Sequence, residues 1–69
     1  MKTEKVVRIK LPKLRSSRQS HKLSQPALAK KAKVSAYVVA VAELGRAVNP
    51  EAAQKIATAL GVKLQSLRS

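Results

Sequence analysis

A single histidine, three glutamates, no aspartate and no cysteine make up the acid–base and metal-ligating inventory of this 69-residue chain. His21 stands between Ser20 and Lys22 with no acid or nucleophile near it in sequence, so neither a general base nor an activated nucleophile can be assembled around it. Glu4, Glu43 and Glu51 are too few and too scattered to be read as paired carboxylates or as a hard-metal site. No catalytic residue, metal ligand or cofactor is therefore expected, and the chain is not read as an enzyme. Without cysteine there is no disulfide and no thiol chemistry, so stability has to come from an aliphatic core. What the chain does hold in quantity is positive charge. Fifteen Lys and Arg residues set its formal charge at +12, which calls for an anionic partner.

That charge is uneven. Residues 1–33 carry eleven of the basic residues against Glu4 alone, a net +10, whereas residues 34–69 carry Arg46, Lys55, Lys63 and Arg68 against two glutamates, a net +2. A solubilising surface is the plainer explanation for such a run, but colloidal solubility does not need +12. There is no apolar run of membrane-spanning length and no secretory-type apolar stretch at the amino end, so a cytoplasmic protein with no membrane role is expected. A chain this short buries only about 60% of its unfolded surface, which leaves room for one core.

The elements that must position the charge can be read from local signals. Val7, Ile9 and Leu11 alternate with Val6, Arg8 and Lys10, the period of a half-buried strand, and Pro12 ends it because proline lacks an amide donor. A polar helix is predicted between Pro12 and Lys22. Ser24 is a suitable N-cap for a second, alanine-rich helix, with Pro26 in its first turn where the missing amide matters least. Ser35 caps a third segment, Ala36 to Leu44, closed by Gly45. Within it Tyr37-Val38-Val39-Ala40-Val41 favours a strand by propensity, but the cap and the glycine favour a helix, and helix is the reading adopted. Asn49-Pro50-Glu51 starts a fourth helix with Ile56, Ala57 and Leu60 on one face and Gly61 at its end; Val62, Leu64 and Leu67 suggest a last short turn. The expected fold is mostly α, four to five short helices with an extra amino-terminal strand. Residues 1–11 are read as a basic strand or arm and residues 12–69 as the helical domain.

Leu14-Arg15 with Arg18, Leu23-Ser24-Gln25, Leu28-Ala29, Val34-Ser35, Val39, Glu43-x-Gly45 and the run Pro50 to Val62 occur in order over about four-fifths of the chain. This ordered set resembles the lambda-repressor-like, Cro-type (XRE) helix-turn-helix domain, in which one helix presents a second to the major groove of DNA. No single piece is specific; the ordering is. The resemblance implies that Ala29 lies at a close helix crossing, that Leu23, Leu28, Val34 and Val39 fill the core beside it, and that Arg18 and Glu43 form an ion pair joining the first helix to the end of the recognition helix. It further implies that Gln25, Ser35, Ala36, Tyr37, Ala40 and Val41 face the groove, and that Lys13, Ser24 and Arg46 contact phosphates, with Arg15, Lys30, Lys31 and Lys33 adding to the field.

Two departures qualify the match. Positions that in the family usually hold polar, base-reading residues are here Ala36, Tyr37, Val38, Ala40 and Val41, none of which can make a bidentate base contact. Either these residues touch thymine methyls and the protein reads shape and A/T content, or the apolar stripe docks on protein. Two turn glycines common in the family are Lys22 and Lys33, which would carry a cost if the backbone there is left-handed. The lone strand is expected to pair across a homodimer through Val7, Ile9 and Leu11, or else to remain a basic arm. Together these features give a sequence-specific regulator of transcription, a repressor acting as a homodimer on a palindromic operator in double-stranded DNA, with no small-molecule ligand evident. The rival readings are a protein-interaction module on the same fold, antitoxin-like or an accessory subunit, and a sequence-tolerant architectural DNA binder.

Overall fold

A computed structural model describes residues 8–68. Five helices follow one another: α1 Leu14–Ser20, α2 Gln25–Ala32, α3 Ala36–Glu43, α4 Pro50–Leu60 and α5 Leu64–Arg68. The starts of α2, α3 and α4 are held by side-chain caps of the expected kind. Ser24 Oγ accepts from the Ala27 amide at 3.1 Å and Ser35 Oγ from the Val38 amide at 3.3 Å. Asn49 Oδ1 accepts from the Glu51 amide at 2.7 Å, and Pro50 takes the first helical position. The segment with conflicting propensities, Tyr37 to Val41, is helical, because helix places Val39 and Ala42 together on the core side while a strand would split them across two faces.

The ends of the first four helices share one design. After α1, α2, α3 and α4 the chain turns through a left-handed residue, Lys22 (φ 57), Lys33 (φ 61), Gly45 (φ 92) and Gly61 (φ 69). In each case the next amide reaches back to a carbonyl five residues earlier, Leu23 to Arg18, Val34 to Ala29, Arg46 to Val41 and Val62 to Ala57. This is the Schellman arrangement, which satisfies carbonyls that a helix end leaves open. Two of these four positions are lysines, so the α1–α2 and α2–α3 turns keep the glycine-type geometry at a backbone cost.

The core is aliphatic throughout. Leu11, Leu14, Leu28, Val39, Ile56 and Leu67 are its largest fully buried side chains, and no polar or charged residue among those described is buried with them. On α4 the buried residues Ala53, Ile56, Ala57 and Leu60 recur at the spacing of one helical face. Alanines sit where helices meet: Ala29 and Ala32 on α2, Ala42 on α3, Ala53 and Ala57 on α4 are all buried. Methyl-sized contacts let α2 pack closely against both α3 and α4. Leu23 and Val34, in the two turns, are half-buried against this core.

The amino-terminal segment differs from expectation. Val7 lies outside the described residues, but Ile9 forms an antiparallel bridge to Val48, with both N–H to O=C bonds at 2.8 Å. Its side chain and that of Leu11 are buried in the chain's own core, at 9% and 0% exposure. Ile9 and Leu11 are therefore core residues and not a surface offered to a second copy. Among the described residues no strand forms there: the segment makes one bridge inside the molecule, to the loop before α4, which carries no strand pattern of its own. Pro12 then occupies a turn closed by the Leu14 amide on Leu11 O at 3.0 Å, and α1 begins two residues after the proline.

Candidate nucleic-acid interface

The turn Lys33–Ser35 sets α3 against α2 so that Val39 and Ala42 face inward and the opposite side of α3 faces out. Tyr37 is 71% exposed, the Ala36 side is open, and Val38, Ala40 and Val41 are half-buried along the flanks. The result is an uncharged ridge. On one side of it Tyr37, Val38 and Val41 form a wall of an open groove of about 260 Å³ whose other lining includes Arg8, Arg46 and Asn49. On the other side Ala40 borders a second groove with Arg15, Gln25 and Leu44. An apolar helix thus runs between two grooves that each carry arginine, an arrangement suited to a duplex groove flanked by two phosphate backbones.

The second groove also holds an ion-pair network. Arg18 meets Glu43 through two parallel contacts, Nε to Oε2 and Nη2 to Oε1, the latter at 3.0 Å. Gln25 Nε2 donates to the same Oε1 at 3.0 Å, and Arg18 Nη1 donates to Leu23 O at 2.8 Å. The two side chains are 12% and 5% exposed. One carboxylate near the carboxyl end of α3 therefore ties together α1, the turn after it and the first residue of α2. Burial works to raise the Glu43 carboxyl, but hydrogen bonds from Arg18 and Gln25, aided by the charges of Arg18 and Arg15, outweigh it and hold the group below the ordinary carboxylate range. The hydrogen bond to Glu43 raises Arg18 above its usual value in spite of partial burial. The planar guanidinium fork gives this latch its angular precision.

The residues expected to touch DNA fall into three places. Ala36, Tyr37, Ala40 and Val41 lie on the outward ridge and flanks of α3. Ser24 and Ser35 are exposed at the starts of α2 and α3; each hydroxyl oxygen accepts a capping bond, leaving its hydrogen able to donate outward. Gln25 is half-buried, with its amide nitrogen on Glu43, so it is oriented by the ion pair and is less free than the sequence suggested. Arg46 is exposed beside the first groove, whereas Lys13, exposed before α1, lines neither groove and its amide donates to Leu67 O at 3.1 Å. His21 is exposed, with Nδ1 2.8 Å from Ser17 O. Two features escaped the sequence. Leu44 is 76% exposed beside Ala40, and Arg8 is drawn to the groove of Arg46 by a bridge that no periodic pattern announces.

Two capped helices joined by a tight turn, the second exposed between basic grooves, define a helix-turn-helix protein. The helix-turn-helix family model matches residues 14–67. The chain belongs to the Cro/C1-type (XRE) helix-turn-helix family, a family of DNA-binding transcription regulators and not of enzymes. Comparison with curated proteins and with solved structures gives no match. No helix among the described residues is long and apolar enough to cross a membrane.

Proposed function

We propose that the protein is a sequence-specific transcriptional repressor that occupies a palindromic operator as a homodimer, with α3 in the major groove of each half-site. The observation that carries this reading is the outward ridge of α3, with Tyr37 at its crest and arginine-bearing grooves on both sides. Ala36, Ala40 and Val41 present methyl groups to thymine methyls, and the Tyr37 hydroxyl supplies the one polar base contact. Ser24 and Ser35, with the open amides behind them, take phosphates, as do Arg46 and Lys13; Gln25 is held by Glu43 at the edge of the groove. Specificity then comes from A/T content and groove shape, and affinity from the cationic surround. Residues 12–69 act as the DNA-binding domain, and the segment before them adds Arg8 and Lys10 to its basic surface while Ile9 and Leu11 anchor it in the core. Two copies are brought into register by half-sites about 34 Å apart, through a surface other than Ile9 and Leu11.

The exposed pair Tyr37 and Leu44 favours one alternative, in which the same helix docks on a protein partner. Selection of bound duplexes from a random pool separates the two. The repressor reading predicts enrichment of an A/T-rich sequence repeated with two-fold symmetry, lost or blurred by Tyr37→Ala while melting stays within a few degrees. No enrichment over the starting pool would overturn it, and enrichment without symmetry would overturn the homodimer.

A further inference from the structure

We propose that Arg8 and Arg46 together clamp one backbone phosphate of the DNA beside α3, and that the Ile9–Val48 bridge is what builds the clamp. Arg8 lies outside the span matched by the family, which begins at residue 14. Its place is nonetheless fixed. The next residue, Ile9, makes both of its backbone hydrogen bonds to Val48 and buries its side chain, and Leu11 is sealed in the core two residues later. Arg46 stands two residues before Val48 on the other side of the same bridge. Both arginines line the groove whose wall is Tyr37, Val38 and Val41.

Among the described residues neither guanidinium has a counter-charge. The ion pair among them is that of Arg18 with Glu43, and neither Arg8 nor Arg46 takes part in a side-chain hydrogen bond or ion pair with any of them. Two exposed guanidiniums at one groove, without a partner among the described residues, form a site for an anion that accepts several N–H bonds at once. A phosphodiester has that chemistry, and the groove borders the helix that enters the DNA. This inference rests on the reading of α3 given above.

The test uses the full chain and a duplex taken from the selection, read by fluorescence anisotropy, with melting curves as the control for folding. Arg8→Gln and Arg46→Gln should each weaken binding by about five- to tenfold with melting little changed. Because the two share one phosphate, the double variant should lose less than the product of the single losses. Replacing backbone phosphates one at a time with neutral methylphosphonates should reveal one position at which the wild type weakens and the double variant does not. Binding by Arg8→Gln equal to that of wild type, or sensitivity of the two single variants changing at different phosphates, would overturn the clamp and leave the reading of α3 intact. Failure of the wild type to bind any duplex at low salt would overturn both.

Discussion

Replacing Glu43 with glutamine removes one charge and almost no volume, and the structure says what that does. The carboxylate accepts two bonds from Arg18 and one from Gln25, and the partners are 12% and 5% exposed. Removing one member of a fully buried pair costs about 3–5 kcal/mol because the other charge is left without compensation, and this pair is partly buried. An amide keeps one acceptor for Arg18, so Glu43→Gln is expected to lose about 2–3 kcal/mol. In a domain of this size each kcal/mol moves the midpoint by about 4–8 °C, so the loss should appear as a fall of about 10–20 °C in thermal melting. The pH dependence is the sharper signature. Glu43 is held below its ordinary value, so the unfolded chain binds a proton at a pH where the folded chain does not. Its contribution is complete above the ordinary carboxylate range and is lost as pH falls through the folded value. Wild type should therefore lose stability on acidification, whereas Glu43→Gln should show a shallower acid limb. Arg18→Met with Glu43→Leu, which removes both charges, should recover most of the loss. Melting of Glu43→Gln within about 3 °C of wild type, a shift worth less than about 1 kcal/mol, with an unchanged acid limb, would refute the latch.

Other substitutions probe the frame. Lys33→Gly relieves a left-handed residue whose side chain is exposed and should stabilise the protein by about 0.5–1 kcal/mol in urea titration, with Lys22→Gly acting likewise. Destabilisation by either would mean that the lysine stem contributes more than its strain. Leu11→Ala empties a fully buried position and should cost about 3 kcal/mol, with sedimentation reporting the same oligomeric state as wild type. Dissociation without loss of stability would contradict the placement of Leu11 in the chain's own core.

Much of this architecture is written locally. Ser24, Ser35 and the Asn49-Pro50 pair announce helix starts because each supplies what the first turn lacks, an acceptor for an open amide or a residue that needs no amide bond. The helical state of Tyr37 to Val41 was legible only by weighing cap against propensity, and packing of Val39 and Ala42 decided it. The fate of Ile9 was not legible. A single bridge needs only one partner residue, and Val48 sits in a loop where nothing alternates. For the same reason the meeting of Arg8 with Arg46 could not be read, since 38 positions separate them and only the bridge closes that distance. Of the interface itself, the residues on α3 follow from helical spacing once Ser35 is taken as the cap. The tie from Gln25 to Glu43 depends on how three helices converge, which no local pattern encodes.

The most direct test of the central claim is a salt titration of duplex binding by the intact protein. A ridge set between cationic grooves, gripping several phosphates, predicts that the association constant falls linearly on logarithmic axes. The expected loss between 50 and 200 mM salt is about a hundredfold or more. An affinity indifferent to salt, or no duplex binding even at 50 mM, would contradict it.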